Sequence, residues 1–196
     1  EFLFATKRYD RIFGEKLKTL RGHAVPCRLH QEDFCQALGI PAAKKYESDG
    51  DFHFKRMFAL LRAYSADPIS DQLKLWDMLI FNYLIGNTDA HIKNFSLLYS
   101  PDMKSIRLAP AYDLLSTIIY KSSTRDMAFS LSGERNISHI TRDSFRAAAK
   151  EAGLGEKLAM SHFDDIKNRF SGALKQATEI LCEQGITQAK NISAQI

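Results

Sequence analysis

A run of polar side chains is the first feature of this 196-residue chain that suggests chemistry. It comprises Asn87, Thr88, Asp89, His91, Lys93 and Asn94. The run lies between an apolar segment that ends at Ile85 and a second apolar segment that begins at Phe95. Packing alone gives no reason for these groups to lie together, whereas a loop held between two rigid elements is a common location for catalytic residues.

The spacing of Asp89 and Asn94 is typical of a kinase catalytic loop. In such a loop an Asp that acts as the general base is followed five residues later by an Asn that binds metal. A second metal-binding Asp is required further along the chain, and Asp113 occupies that place. Phosphoryl transfer depends mainly on positioning and charge neutralisation, which oxygen ligands around magnesium provide. We predict Asp89 as the general base and Asn94 and Asp113 as magnesium ligands. Lys93 is predicted to contact the γ-phosphate of ATP or to pair with Asp89.

Hydrophobic periodicity predicts the elements that position this loop. Apolar residues at helical spacing predict helices over 54–64, 70–85, 141–152 and 156–182, with Ser70 and Thr141 as caps. A shorter helix is predicted over 31–38, a strand over 1–9 and a β-hairpin from 95–99 and 106–109. The last dozen residues are predicted to fray, and the run 116–124 to form a polar loop. The fold class is therefore mainly α, of the α+β type, in one domain over 1–196.

Composition excludes several classes of protein. The chain is 45% hydrophobic and 26% charged, as in ordinary globular domains, and lacks the run of about 18 apolar residues that a membrane helix needs. Three cysteines at unrelated spacings fit neither a disulfide framework nor a zinc site. The net charge of +4 is too small to indicate direct nucleic-acid binding. We expect a cytoplasmic protein without membrane contact.

The polar run and its flanking motifs also resemble a known family. Residues 86–96 look like the catalytic loop of HipA-like toxin kinases, and residues 109–116 look like the magnesium-binding segment of that family. Three further segments match its motifs in order, namely 7–11, which resembles the hinge between the two kinase lobes, then 28–38 and 45–50. Beyond about residue 125 the resemblance is only to a helical pattern.

This resemblance implies the larger, C-terminal lobe of a two-lobed serine/threonine kinase, a helical bundle with a small active-site hairpin and a hinge at about 5–11. It implies ATP and Mg²⁺ as cofactors and phosphorylation of a serine in a cytoplasmic protein, which in known members is an aminoacyl-tRNA synthetase. It also implies a HipB-like helix-turn-helix antitoxin as partner, so that DNA would be contacted only through the antitoxin.

Carried over by motif, the resemblance assigns Lys7, Arg8 and Tyr9 to the nucleotide site. It places His91 among the catalytic and cofactor-site residues with a part in shaping the loop, and a direct proton carrier is the alternative role. Asp10 is also assigned to the nucleotide site, with a plain surface pair to Arg11 as the alternative. The family's N-terminal lobe carries a Gly-rich loop and an ATP-anchoring lysine. Neither motif occurs in this sequence, so we expect a piece of a larger protein that is inactive alone.

Two other functions remain open at this point. A metal-dependent phosphohydrolase would use Asp89, His91 and Asp113 around a transition metal. A kinase-derived binding module would contact an antitoxin and its DNA without catalysis. In the polar run 116–124, a phosphorylation site is the alternative to an ordinary loop.

Overall fold

A computed structural model describes residues 5–13 and 18–196. The strand predicted over 1–9 lies partly outside the described residues, and residues 5–9 form no strand, so this part of the prediction is wrong. Among the described residues, no helix has both the length and the apolar character that a membrane crossing requires.

The helices account for most of the regular structure of the described chain. They are α1 (Phe34–Ala37), α2 (His53–Tyr64), α3 (Pro68–Leu84), α4 (Arg142–Ala152), α5 (Glu156–Glu183) and α6 (Ala189–Ser193). The helices predicted over 54–64, 141–152 and 156–182 are confirmed, with Thr141 as the cap of α4. The expected cap Ser70 is wrong, because the Asp67 carboxylate accepts from its N–H and Pro68 begins α3. The predicted fraying of the last residues is wrong over α6.

Short antiparallel strands complete the fold. They are β1 (Arg11–Ile12), β2 (Lys18–Leu20), β3 (His23–Val25), β4 (Cys27–Arg28), β5 (Gln31–Asp33), β6 (Ser96–Tyr99), β7 (Ile106–Leu108), β8 (Asp126–Leu131) and β9 (Glu134–Asn136). Strand β1 pairs with β4, β2 with β3, and β8 with β9, while β5, β6 and β7 form one sheet in that order. The predicted hairpin is confirmed as β6–β7. Over 31–33 the predicted helix is wrong, because these residues pair with β6 in the register Gln31 to Leu98.

A single apolar core lies between the four longer helices and the strands. The side chain of Trp76 on α3 is fully buried and makes aromatic contacts with Phe58 of α2 and Phe145 of α4. Its indole N–H donates to the carbonyl of Ala159 on α5 at 2.9 Å, which satisfies the one polar group of a buried ring. The structure thus confirms a mainly α fold of the α+β type.

Gly86 ends α3 in a conformation that few other residues adopt. Its φ of +70° lies in the left-handed region, and its carbonyl accepts the backbone N–H groups of Thr117 and Ile118 at 3.0 and 3.1 Å. A Cβ at this position would lie 2.2 Å from Cδ1 of Ile118. The glycine therefore allows the segment after Asp113 to approach the start of the predicted catalytic loop.

We expect Gly86→Ala to lower the free energy of unfolding by more than the left-handed backbone alone would cost. That backbone cost is about 1–2 kcal/mol for a non-glycine residue, and overpacking against Ile118 adds about 1–3 kcal/mol. Gly39→Ala is the matched control, because Gly39 has a φ of +64° with nothing within 4 Å of the new Cβ. Denaturant midpoints of both variants check the difference; equal losses would mean that the contact with Ile118 relaxes freely.

Candidate active site

The polar run forms a tight loop from Gly86 to Phe95, between α3 and β6. Its backbone folds on itself, since His91 N–H donates to the carbonyl of Asp89 at 2.7 Å and Asn94 N–H donates to the carbonyl of His91 at 2.8 Å. A single 3₁₀ turn, Ile92–Asn94, leads into β6. These bonds fix the backbone of the loop independently of any ligand.

Asn87 fastens this loop to the segment that carries Asp113. Its fully buried amide Nδ2 donates to Asn82 Oδ1 at 2.7 Å and to the carbonyl of Asp113 at 3.1 Å. Its Oδ1 accepts the backbone N–H of Asp89 at 3.2 Å. One side chain thus joins the predicted base to the predicted metal ligand. The sequence places Asn87 in the polar run without a role, and its contact with Asp113, 26 residues further along the chain, is one that local spacing does not reveal.

Two buried threonines make a second connection between the same segments. Thr117 Oγ1 accepts the backbone N–H of Thr88 at 2.8 Å and lies 2.7 Å from Thr88 Oγ1. It also donates to the carbonyl of Gly86 at 3.0 Å. Thr117 belongs to the run 116–124, which the sequence suggests only as a polar loop, yet here it is part of the support of the catalytic loop.

Asp89 is half-buried, and its carboxylate is held from one side. The hydroxyl of Tyr46 donates to Asp89 Oδ1 at 2.6 Å, and this bond is the main reason that the pKa of Tyr46 is raised to about 12. The Asp89 carbonyl accepts from Asn94 Nδ2 at 3.1 Å. Because its amide nitrogen makes this bond, the amide oxygen of Asn94 is the atom that could bind a metal ion.

Asp113 is exposed and has a φ of +56°, which is a strained backbone for a residue other than glycine. Strained backbone of this kind is common at functional sites, where surrounding contacts hold the residue in place. Here the hydrogen bond from Asn87 to the Asp113 carbonyl is such a contact. Asp113 and Asn94 both offer the hard oxygen ligands that magnesium prefers. The chemistry of these donors therefore fits the predicted metal, and Asn94 and Asp113 are the residues that would hold it.

His91 is close enough to both predicted functional carboxylates for each to affect its pKa. Burial is the largest influence on its pKa and lowers it, helped by Lys45, whereas Asp89 and Asp113 raise it by a smaller amount. Within the described part of the chain its buried Nδ1 has no hydrogen-bond partner. Its ring stands edge-on to Tyr46, with 5.3 Å between the ring centroids. A neutral, buried ring suits the predicted part in shaping the loop.

Lys93 does not pair with Asp89, so that part of its prediction is wrong. Its ammonium instead lies 2.6 Å from the Asp33 carboxylate, at the junction of β5 and α1. This pair raises the pKa of Lys93. The predicted contact with the γ-phosphate stays a prediction.

A cleft of about 650 Å³ adjoins Asp113 and contains the residues assigned to the nucleotide site. It is lined by Thr6, Lys7, Arg8, Tyr9, Asp10, Gln31, Pro110, Ala111, Tyr112, Asp113 and Leu114. A chain of hydrogen bonds joins it to the catalytic loop: Tyr9 donates to Gln31, Gln31 to Ser96, and Tyr112 to the carbonyl of Lys93. The hydroxyls of Ser96 and Tyr112 close the chain at 2.5 Å.

Asp10 is an almost fully buried residue in the wall of this cleft. Its carboxylate is 2% exposed and forms a two-pronged ion pair with Arg8, at 2.7 Å for each bond. The hydrogen bonds from Arg8 are the largest cause of its lowered pKa. Arg11 and Arg28 lie further away, at 3.4 and 3.6 Å. The alternative pair of Asp10 with Arg11 is present, but it is not a plain surface pair, because the Asp10 carboxylate is buried.

Asp89 faces a separate pocket of about 400 Å³. It is lined by Tyr46, Glu47, Thr88, Asp89, Thr117, Ser123, Thr124, Asp126, Met127, Ala128 and Arg135. The hairpin β8–β9, which the sequence analysis missed, supplies one wall. No lining residue is shared between this pocket and the cleft at Asp113. Asp89 of the loop and Asp113 of the neighbouring segment thus each line a different cavity.

The phosphohydrolase alternative would need histidine-containing ligand sets. Over residues 5–13 and 18–196, no three side chains from His, Cys, Asp and Glu lie together as a metal-binding group. The predicted magnesium site is of another kind, with one Asn and one Asp from the protein.

Comparisons with known proteins agree with the motifs. The model of the family described as HipA-like C-terminal domain matches residues 1–174, and the chain belongs to this family. Y4mE of Sinorhizobium fredii, a candidate kinase by name, is 42% identical over 94% of this chain and 42% of its own length. The serine/threonine-protein kinase toxin HipA of Shewanella oneidensis is 30% identical over 89% of this chain and 41% of its own length.

A solved structure extends this similarity to three dimensions. A chain in the Shewanella oneidensis complex of HipA, HipB and operator DNA superposes with a TM-score of 0.77 and 26% identity. The match covers 96% of this chain and 46% of that one. The chain therefore spans less than half the length of the relatives it matches.

Proposed function

We propose that the complete protein is an ATP- and Mg²⁺-dependent serine/threonine kinase of the HipA type, to which this chain contributes the base and the metal ligands. The main support is the buried Asn87 side chain, which is hydrogen-bonded to the backbone of both Asp89 and Asp113. Each of these two carboxylates lines its own cavity. This arrangement suits a transfer reaction with two substrates. Membership of the family, and the kinase names of the relatives, support the same proposal.

In the proposed reaction, ATP occupies the cleft beside Lys7, Arg8 and Tyr9. Bound magnesium would supply charge neutralisation at the phosphates, held by the amide oxygen of Asn94 and the carboxylate of Asp113. The acceptor serine enters the pocket at Asp89. Asp89 takes the hydroxyl proton as the serine oxygen bonds to the γ-phosphorus and the bond to ADP breaks.

We further propose a serine of a cytoplasmic protein as the acceptor, with an aminoacyl-tRNA synthetase as the first candidate. A HipB-like antitoxin is the proposed partner, by analogy with the complex of HipA, HipB and operator DNA. DNA would then be contacted only through the antitoxin. A catalytically inactive binding module is the competing function.

The test uses the complete protein, radiolabelled ATP and a bacterial lysate as acceptor source. We expect label on protein serine, abolished by a magnesium chelator and restored by added magnesium. A hydrolase would act without nucleotide, and a binding module would bind ATP without labelling any protein. Either result would overturn the proposal.

Asp113→Asn should weaken magnesium-dependent ATP binding by at least about tenfold, because it removes a charged ligand of the metal. Titration of a fluorescent ATP analogue with and without magnesium measures this loss. Binding without magnesium should change little. Asp165→Asn is the matched control, since Asp165 is an exposed carboxylate on α5 paired only with Arg169. Equal magnesium dependence in wild type and Asp113→Asn would remove Asp113 from the metal site.

A further inference from the structure

Tyr46 makes the one side-chain hydrogen bond that the Asp89 carboxylate receives within the described residues. The 2.6 Å separation of Tyr46 Oη and Asp89 Oδ1 is typical of a strong, charge-assisted O–H···O⁻ bond. Because the phenol binds Oδ1, the other carboxylate oxygen, Oδ2, is the one left to accept a proton. Tyr46 is 46% exposed and is not part of the apolar core.

The position of Tyr46 is fixed by its neighbour in the chain. The buried Glu47 carboxylate accepts the backbone N–H groups of Ser130 and His53, both at 2.7 Å. The backbone N–H of Glu47 donates to the carbonyl of Ala128 at 2.9 Å. Strand β8 and the first residue of α2 thus hold the segment that presents the phenol to the catalytic loop.

Tyr46 belongs to the acceptor side of the site. It lines the 400 Å³ pocket together with Asp89, and it is not among the residues that line the cleft at Asp113. Its pKa of about 12 keeps the phenol protonated at the pH of any kinase assay. Tyr46 is therefore a hydrogen-bond donor to the base and cannot replace it as the proton acceptor.

We infer that Tyr46 is a positioning residue, whose hydroxyl orients the Asp89 carboxylate so that Oδ2 accepts the proton of the incoming serine. The inference rests on the proposed kinase function. Without the phenol, the Asp89 side chain gains rotational freedom, and the aligned orientation becomes one of several. The acceptor proton still goes to Asp89, but less often from a productive geometry.

The test is Tyr46→Phe in the complete protein, which removes one oxygen and keeps the ring against His91. The kcat for phosphate transfer should fall by about tenfold to a hundredfold, the range expected for one hydrogen bond to a charged group. The KM for ATP should not change, because Tyr46 lies outside the nucleotide cleft. The denaturant midpoint should shift by no more than it does in Tyr99→Phe, which removes a bond of the same kind, and this comparison separates positioning from a structural role.

Tyr99→Phe is a closely matched control. The Tyr99 hydroxyl donates to the Glu32 carboxylate, which raises its pKa to about 12, and its ring stands edge-on to His30. Tyr99, like Tyr46, thus donates its hydroxyl to a carboxylate, but that carboxylate is not Asp89. Removal of the Tyr99 hydroxyl should therefore leave kcat unchanged.

Three outcomes overturn the inference. Wild-type kcat in Tyr46→Phe, or an equal fall in both tyrosine variants, refutes the role of Tyr46 while leaving the kinase proposal in place. A wild-type protein that transfers no phosphate under the same conditions refutes the proposed function, and the role of Tyr46 with it.

Discussion

Replacing Asp89 by Asn should lower the rate of phosphate transfer by about 10²- to 10⁴-fold, the contribution expected of a positioned general base. Asn has nearly the same shape, and its amide oxygen can still accept the Tyr46 hydroxyl. The change removes the basic oxygen that takes the serine proton and little else. ATP affinity should therefore stay at the wild-type value, since Asp89 lies outside the cleft that Asp113 lines. Single-turnover transfer of radiolabelled phosphate and ATP titration measure the two quantities.

Asp126→Asn is the control for the charge of the pocket. Asp126 lies at the start of β8, is exposed, and lines the same pocket as Asp89. If a general loss of negative charge slowed transfer, both variants would be slow. Transfer at the wild-type rate in Asp89→Asn would exclude Asp89 as the base and return the binding-module interpretation to first place.

The sequence predicted the site residues best where they are adjacent in the chain. Asp89, His91 and Asn94 share one short loop, and the structure folds that loop on itself by local backbone bonds. The long helices were also predictable, because an apolar stripe along α2 or α5 needs only periodicity to be recognised. Predictions from residue spacing thus succeeded where the contacts join residues that are close in the sequence.

Contacts between distant segments could not be predicted in this way. A pair with Asp89 is one of the two contacts that the sequence predicts for Lys93, yet Lys93 pairs with Asp33, sixty residues away. Strand β5 has only three residues, which the sequence predicts as part of a helix. It is a strand because it pairs with β6, which lies far along the chain. Three residues carry too little periodicity to separate strand from helix.

The supports of the catalytic loop escaped the sequence analysis for the same reason. Tyr46 is held near Asp89 by its neighbour Glu47, which is bonded to Ser130 of β8, more than eighty residues away. Asn87 and Thr117 are short polar side chains that could equally occupy a turn. Their roles follow from burial and partners, which no single sequence displays.

The second large effect is expected at Asp71, in the first turn of α3. This side chain is 0% exposed and accepts four hydrogen bonds within 3.0 Å. Two come from Arg107, one from the Ser65 hydroxyl and one from the backbone N–H of Leu108. The contacts tie α3 to β7, the strand that leads directly into the segment of Asp113.

We expect Asp71→Ala to lower the free energy of unfolding by about 3 kcal/mol. Removing one member of a buried ion pair costs about 3–5 kcal/mol, and the 40% exposure of Arg107, which can turn to water, places this case at the lower end. Asp67→Ala removes the nearby helix cap, which also lies 3.3 Å from Arg107, and should cost about 1 kcal/mol. Denaturant midpoints check the order; a larger loss for Asp67→Ala would contradict it.

The lowered pKa of Asp71 also predicts how its contribution to stability depends on pH. Burial raises the pKa of Asp71, but the hydrogen bonds from Arg107, Ser65 and Leu108 outweigh it, so the pKa in the folded state lies below the ordinary value of 3.8. A folded state with a lowered pKa binds fewer protons than the unfolded chain, so its extra stability is present above pH 3.8 and declines as the pH falls below it. The difference in unfolding free energy between wild type and Asp71→Ala should accordingly be constant near neutral pH and shrink in acid. A difference that stays constant through this range would mean that the Asp71 carboxylate does not stabilise the fold through its charge.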